Sequence, residues 1–234
     1  MTDILTEPHP APVSAKGFDL ATEAGRKRAW NDLFWADHGF LRQRFSNFHW
    51  ISPEMARANQ PSPEQIARYA GMGIKTIVNL RGQSDTGYYW LEREACAKHG
   101  LALVDAPLGS REAPSKERVY RAKEIVETIA YPALMHCKSG ADRAGLMAVF
   151  YKHFREGVPI DQALEQLSLK YLHVKHGKTG LLDYFFQTYL EETRESGKPF
   201  LDWVRDDYEP ARVKAAFKPT AWGNVIVDVI LKRE

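Results

Sequence analysis

Apolar positions along this chain switch between two rhythms. Short runs rich in β-branched residues or leucine, bounded by glycine, proline or polar turns, read as buried strands at 74–80, 101–104 and 133–136. Residues 47–51 alternate as a strand with one exposed face does. Between these runs the apolar residues return at helical spacing over 88–99 and 116–130, where Val119, Ile125, Val126 and Ile129 share one side. Ser62, Pro63 and Glu64 supply a cap, a proline at the first helical position and an early acid. They predict a helix that runs to about Ala70 and stops at Gly71 or Gly73. Residues 18–37, 144–154 and stretches near 160–170 and 179–195 also read as helices. Residues 52–65, with Pro53, Pro61 and Pro63, read as loop up to that helix start.

The order strand, helix, strand, helix, strand, glycine-bearing loop, helix predicts an α/β fold with a central, mainly parallel sheet flanked by helices. Folds of this kind gather ligand sites at the carboxyl ends of their strands, where Arg81, Asp105 and Cys137 stand. Residues 1–17, with Pro8, Pro10 and Pro12 and few large apolar groups, read as a flexible tail before a single domain over 18–234. Residues 191–215 are charged and aromatic without a clear period. Trp222, Val225, Ile226, Val229 and Ile230 recur at helical spacing, as a closing helix packed on the domain would.

Composition narrows the class. The 234 residues are 44% hydrophobic and 26% charged, enough for one core that buries roughly 70% of the unfolded chain's surface. Lys and Arg total 32 against 30 Asp and Glu, a net +2, so bulk charge gives no reason to expect a nucleic-acid partner. No apolar run approaches the ~20 residues of a membrane span, which predicts no stable membrane insertion. Acidic residues near the start and no apolar core segment argue against a signal peptide, so the expected location is cytoplasmic. The two cysteines, Cys96 and Cys137, are too few for a disulfide framework or a cysteine-based zinc site, and both are expected reduced.

Cys137 opens the segment from His136 to Arg143, which joins a strand to a helix. A short loop entering a helix turns successive amide N–H groups inward, forming an anion nest. The helix N-terminus adds roughly half a positive charge. Gly140 permits a backbone conformation that other residues resist. The field at the mouth of such a loop favours a thiolate, and Arg143 offers a planar fork to two phosphate oxygens. A phosphate-shaped hole with a thiolate at its base suits attack on phosphorus.

The string Cys137-x5-Arg143, preceded by His136, resembles the signature of the cysteine-dependent protein tyrosine phosphatase superfamily. The stretches around 56–65, 74–82 and 136–146 are similar to bacterial members and to the atypical dual-specificity phosphatases of fungi and plants, with the similarity covering about 47–175. The resemblance implies a compact dual-specificity phosphatase-like fold with extra N- and C-terminal helices. It implies that Cys137 attacks the phosphate, that Arg143 and the amides from Lys138 through Ser139, Gly140, Ala141 and Asp142 to Arg143 hold its oxygens, and that His136 orients the loop. No metal or cofactor is implied. The leaving-group acid in dual-specificity relatives follows the preceding strand about 32 residues before the cysteine, which is the separation of Asp105. Asp142 is the alternative, as in myotubularin-like loops, and Glu112 on the same stretch as Asp105 is a third. Where most relatives carry Ser or Thr after the arginine, this chain has Ala144. That departure implies slow hydrolysis of the phosphoenzyme.

The implied partner is a phosphorylated protein or a small phosphorylated molecule, with a protein tyrosine or dual-specificity phosphatase as the leading reading. A phosphoinositide or inositol phosphate phosphatase is the alternative. A rhodanese-like sulfurtransferase and a non-catalytic phosphate reader are further classes. Lys138 would widen the positive field for polyanions, with Asp142 opposing it. Arg81 would border the pocket or form an ion pair at the sheet end; Asn59 and Gln60 would line the site or hold a turn. Cys96 reads as a buried structural cysteine, with a protective disulfide to Cys137 as the other option. His153, His173 and His176 lack metal-ligand spacing. The basic stretch 172–180 either flanks the pocket or is an ordinary connection.

Overall fold

Among the described residues, five strands form one sheet in the order β1-β2-β5-β3-β4: β1 (His49–Trp50), β2 (Met55–Ala58), β3 (Thr76–Asn79), β4 (Ala102–Asp105) and β5 (Ala133–His136). Only β1 runs antiparallel to its neighbour. The computed structural model describes residues 14–42, 45–175 and 177–218. The register pairs Ala58 with His136, His136 with Asn79 and Asn79 with Asp105. Four carboxyl ends therefore finish level, where the loop after β5 begins.

Pleat alternation sorts the strand residues. Met55, Val78, Val104, Ala133 and Met135 face one core, shared with α5 (Lys116–Thr128), α6 (Asp142–Glu156) and α8 (Leu181–Glu192). Ala56, Ala58, Ile77 and Leu134 face the other, with α3 (Pro63–Gly71) and α4 (Gly87–Lys98). The α3 start is a capping box: the Ser62 hydroxyl accepts from the Gln65 N–H while the Gln65 side chain accepts from the Ser62 N–H. A third cluster docks α1 (Glu23–Asn31) on α4 through Phe18, Ala29, Leu33, Tyr88, Tyr89 and Leu91. There Gly87 is required, since a β-carbon would sit 2.3 Å from the Ala29 carbonyl oxygen.

Several expectations change. β2 lies in the stretch read as loop: Met-Ala-Arg-Ala shows no alternation because all four residues are buried between β1 and β5. The helix expected over 18–37 is α1 followed by a wider π-type turn over Asp32–Ala36 and then α2 (Gly39–Arg42). The helix expected near 160–170 is the short α7 (Ile160–Ala163) and two 3₁₀ turns, broken where Ser168 becomes extended and Leu172 takes a left-handed φ of 68°. The unplaced 191–215 stretch holds α9 (Phe200–Asp206) and α10 (Pro210–Ala216). Of the expected tail, residues 14–17 form a turn pinned to Asp85, which accepts from the Ser14 hydroxyl at 2.5 Å and the Lys16 N–H at 3.0 Å. The rest of that tail and the helix expected over 222–230 lie outside the described residues.

Candidate active site

The loop between β5 and α6 is shaped from outside by side chains that collect its carbonyls. The Lys138 carbonyl accepts from the Gln60 N–H at 3.3 Å, and the Ser139 carbonyl from Asn47 Nδ2 at 2.9 Å. One guanidinium nitrogen of Arg57 donates to the carbonyls of both Gly140 and Ala141, at 2.9 and 2.8 Å. In a planar trans peptide the N–H points opposite to the carbonyl. Four consecutive carbonyls held outward therefore turn the N–H groups of Ser139, Gly140, Ala141 and Asp142 into the loop. The loop lies tight on β2: Gly140 has φ +73°, and a β-carbon there would meet the Ala58 carbonyl carbon at 2.6 Å. Both its conformation and its neighbours demand glycine.

Cys137 follows β5 and belongs to the core on the α5 and α6 side. Arg143 lies in the first turn of α6, half-buried, and forms no ion pair with any described residue. Arg57 is fully buried beneath the loop. Its other terminal nitrogen donates to the Gln166 carbonyl at 2.8 Å, and its guanidinium stacks 4.1 Å from the Tyr171 ring centre. Burial pulls its pKa down to about 10, against the opposing pull of Cys137, Tyr171 and Asp142. It remains a cation at neutral pH.

His136 faces the other core. Its Nε2 lies 2.5 Å from Glu92 Oε1, both side chains being fully buried. Glu92 accepts from Gln60 Nε2 at 2.9 Å, and Gln60 accepts from Arg81 Nη1 at 3.0 Å. Arg81 in turn grips Asp37 with both terminal nitrogens, at 2.7 and 2.8 Å, and stacks 3.5 Å from the Tyr88 ring centre. One chain of polar contacts thus leads from Asp37 to the residue before Cys137.

The carboxylates are disposed differently from expectation. Asp105 is the last residue of β4, and its oxygens accept from Asn79 Nδ2 and the Tyr89 hydroxyl, both at 2.8 Å. Burial raises its pKa against those two hydrogen bonds. These partners place it on the α4 side of the sheet, opposite the core that holds Cys137. Asp142 is buried, and its Oδ1 lies 2.7 Å from His173 Nδ1, while His173 Nε2 lies 2.5 Å from Asp183. Burial lowers the His173 pKa, but the two carboxylates outweigh it and the net direction is up. His173 is thus buried between two carboxylates and tied to the first residue of α6. Glu112 sits in the loop after β4, half-exposed and ion-paired with Arg118.

The family described as DSP-PTPase phosphatase fused to NAD+ Kinase matches residues 50–179. The chain belongs to this family. The matched stretch runs from the end of β1 past the loop between β5 and α6 to the Asp142–His173 contact. The chain is similar to the dual specificity protein phosphatase TpbA of Pseudomonas aeruginosa, 28% identical over 123 residues, which are 52% of this chain and 53% of TpbA. It thus spans about half the length of the curated relative it matches. The crystal structure of P. aeruginosa TpbA superposes with a TM-score of 0.50 at 19% identity, covering 68% of this chain and 89% of TpbA. A cysteine-to-serine form of TpbA in complex with phosphotyrosine gives 0.50 at 17%, covering 68% and 88%. These likenesses show a dual-specificity phosphatase fold.

The remaining candidate residues find structural places. Asn59 holds a turn through the Phe45 carbonyl at 2.6 Å. Cys96 is buried on α4, where desolvation pushes its thiol well up, and it belongs to a different core cluster from Cys137. His153 contacts the Val158 carbonyl at 3.0 Å beyond the end of α6. His176 lies outside the described residues. Among the described residues no group of His, Cys, Asp and Glu is arranged to hold a metal ion, and no helix is long and apolar enough to cross a membrane. Sequence reasoning missed Arg57, Glu92, Asn47 and Asp37. The one signal for Arg57 was a charged residue amid small apolar ones in 55–58.

Proposed function

We propose that this chain is a phosphomonoester hydrolase of the protein tyrosine and dual-specificity type, working through a cysteinyl-phosphate. The observation that carries the reading is the set of four outward carbonyls, whose opposed N–H groups form an anion cradle beside Cys137 and Arg143. The Cys137 thiolate attacks phosphorus, and the P–O bond to the leaving group breaks as the S–P bond forms. Arg143 and the amides of Ser139 to Asp142 bind the three oxygens as charge spreads over them. Water then attacks the S-phosphate, releasing inorganic phosphate and restoring the thiolate. His136, held by Glu92, positions the loop's first residue.

The leaving-group acid is assigned to the loop after β4. Glu112 is the carboxylate of that loop, and the loop's Ala106, Leu108 and Ala113 share the core that holds Cys137. Asp105 is bound on the opposite face, and Asp142 is buried with its Oδ1 2.7 Å from His173 Nδ1. Glu112→Gln is expected to slow hydrolysis of poor leaving groups by roughly 100-fold while sparing good ones, and Asp105→Asn to treat the two alike. The reverse pattern would return the acid to Asp105.

The decisive test of the function is a panel of phosphotyrosine, phosphoserine and phosphothreonine peptides and phosphoinositides, assayed with the parent and with Cys137→Ser. Phosphate release by the parent, and substrate retention without turnover by the variant, are the expected results. Turnover preserved in Cys137→Ser would refute the mechanism. Binding by a parent that turns over nothing would make the chain a phosphate reader.

A further inference from the structure

The connection from α7 to α8 braces the loop between β5 and α6. Arg57 ties the Gln166 carbonyl to those of Gly140 and Ala141, and Asn47 Nδ2 ties the Tyr171 carbonyl, at 3.2 Å, to that of Ser139. His173 adds a further tie, to a side chain of the loop itself. Its ring is fully buried, with Nδ1 2.7 Å from Asp142 Oδ1 and Nε2 2.5 Å from Asp183 Oδ2, and both carboxylates are buried with it. Lys175 Nζ lies 3.6 Å from Asp183 Oδ1, and Arg57 on β2 interacts electrostatically with Asp142.

Each ring contact needs one hydrogen, because a bare imidazole nitrogen and an ionised carboxylate oxygen are both acceptors. A neutral imidazole carries a single N–H, so one of its nitrogens would face an oxygen with no hydrogen between them. The second hydrogen belongs to the ring rather than to an acid, since imidazole ordinarily holds its proton to a pH roughly 2–3 units higher than aspartate does. Burial opposes the charge, and the two carboxylates outweigh it. The consequence falls on the loop. Asp142 opens α6, where a carboxylate is drawn to the same N–H groups and positive helix end that would hold phosphate. Tied to a cation, it neither folds over those groups nor sets an uncompensated negative charge beside a phosphate dianion.

We infer that His173 is a positioning residue for phosphate binding: protonated on both ring nitrogens, it draws the Asp142 carboxylate away from the anion cradle and offsets its charge, while Asp183 holds the ring in place. It acts through Asp142 and not by contact with the reacting atoms. This deepens the proposed function and rests on it for the identity of the anion.

Two measurements test it. The first needs no variant: nitrogen NMR of the imidazole rings in the parent at neutral pH. Two protonated nitrogens on His173 are expected, and a bare one overturns the inference. The second is the affinity for inorganic phosphate, read by titration calorimetry in the parent, in His173→Gln, and in His173→Gln combined with Asp142→Asn. The single variant is expected to bind phosphate about tenfold more weakly, and the double variant to recover most of that loss because the uncompensated carboxylate is gone. A residue that merely holds the loop's shape would give no such recovery. Unchanged affinity in a folded His173→Gln protein, or no recovery in a folded double variant, overturns the inference, as does a parent that binds no phosphate. If the parent binds phosphate with this pattern yet hydrolyses no phosphate ester, the proposed function fails and the role of His173 stands.

Discussion

Arg57 shows how much of this site depends on one side chain with no role in the chemistry. Its guanidinium satisfies the carbonyls of Gly140, Ala141 and Gln166, which belong to segments far apart in sequence. Arg57→Met keeps much of the volume but strands those carbonyls in the core. The expected loss is roughly 3–5 kcal/mol, read as a lower urea midpoint, and activity should fall in the fraction that stays folded. A cost below about 1 kcal/mol would show that the loop holds its shape unaided. Ala144 carries the second residue-scale prediction. It is fully buried in the first turn of α6, at the position where most members of the resembled family carry Ser or Thr. The parent should show a burst of leaving group, and Ala144→Ser should raise the steady-state rate roughly tenfold and shrink the burst. A linear time course from the first turnover contradicts this. The strand-to-helix loop from Cys137 to Arg143 and its glycine were legible because that turn is written in adjacent residues. Spacing also singled out Asp105, but it could not show that the pleat of β4 turns the carboxylate toward Asn79 and Tyr89.

Among the elements, strands with strong β-branched patterns were readable, whereas β2 was not. Met-Ala-Arg-Ala has neither alternation nor β-branching, and its burial comes from neighbours on both sides rather than from its own preference. The α3 capping box, by contrast, is written in four adjacent residues and appears as expected. The connection after α7 holds His173, whose pairing with Asp142 and Asp183 no local pattern announces. Its pKa is raised on folding. The stability it contributes is therefore complete below the unfolded value near 6.5 and is lost as pH rises through the raised folded value. Urea midpoints of the parent and His173→Asn should differ most at mildly acidic pH and converge as pH rises. A gap that widens with pH would mean that His173 is neutral in the folded protein.

At the scale of the molecule, the family-matched stretch supplies β2 to β5 and the loop between β5 and α6, while the segment before it supplies α1, α2 and Asp37. The sequence resemblance already began near residue 47, but the docking of the segment before it was not visible, because α1 packs on α4 through a third cluster assembled from distant residues. The contact is tight at Gly87, so Gly87→Ala should push α1 from α4 at a cost of roughly 1–3 kcal/mol. Thermal denaturation checks this, and an unchanged Tm would show that the N-terminal segment docks loosely. The central claim, however, is a covalent bond between sulfur and phosphorus. Acid-quenching the parent during turnover and mapping the phosphate by mass spectrometry tests it directly. The account predicts phosphate on the peptide that carries Cys137, absent in Cys137→Ser. Steady phosphate release with that peptide unmodified at every quench time would contradict it.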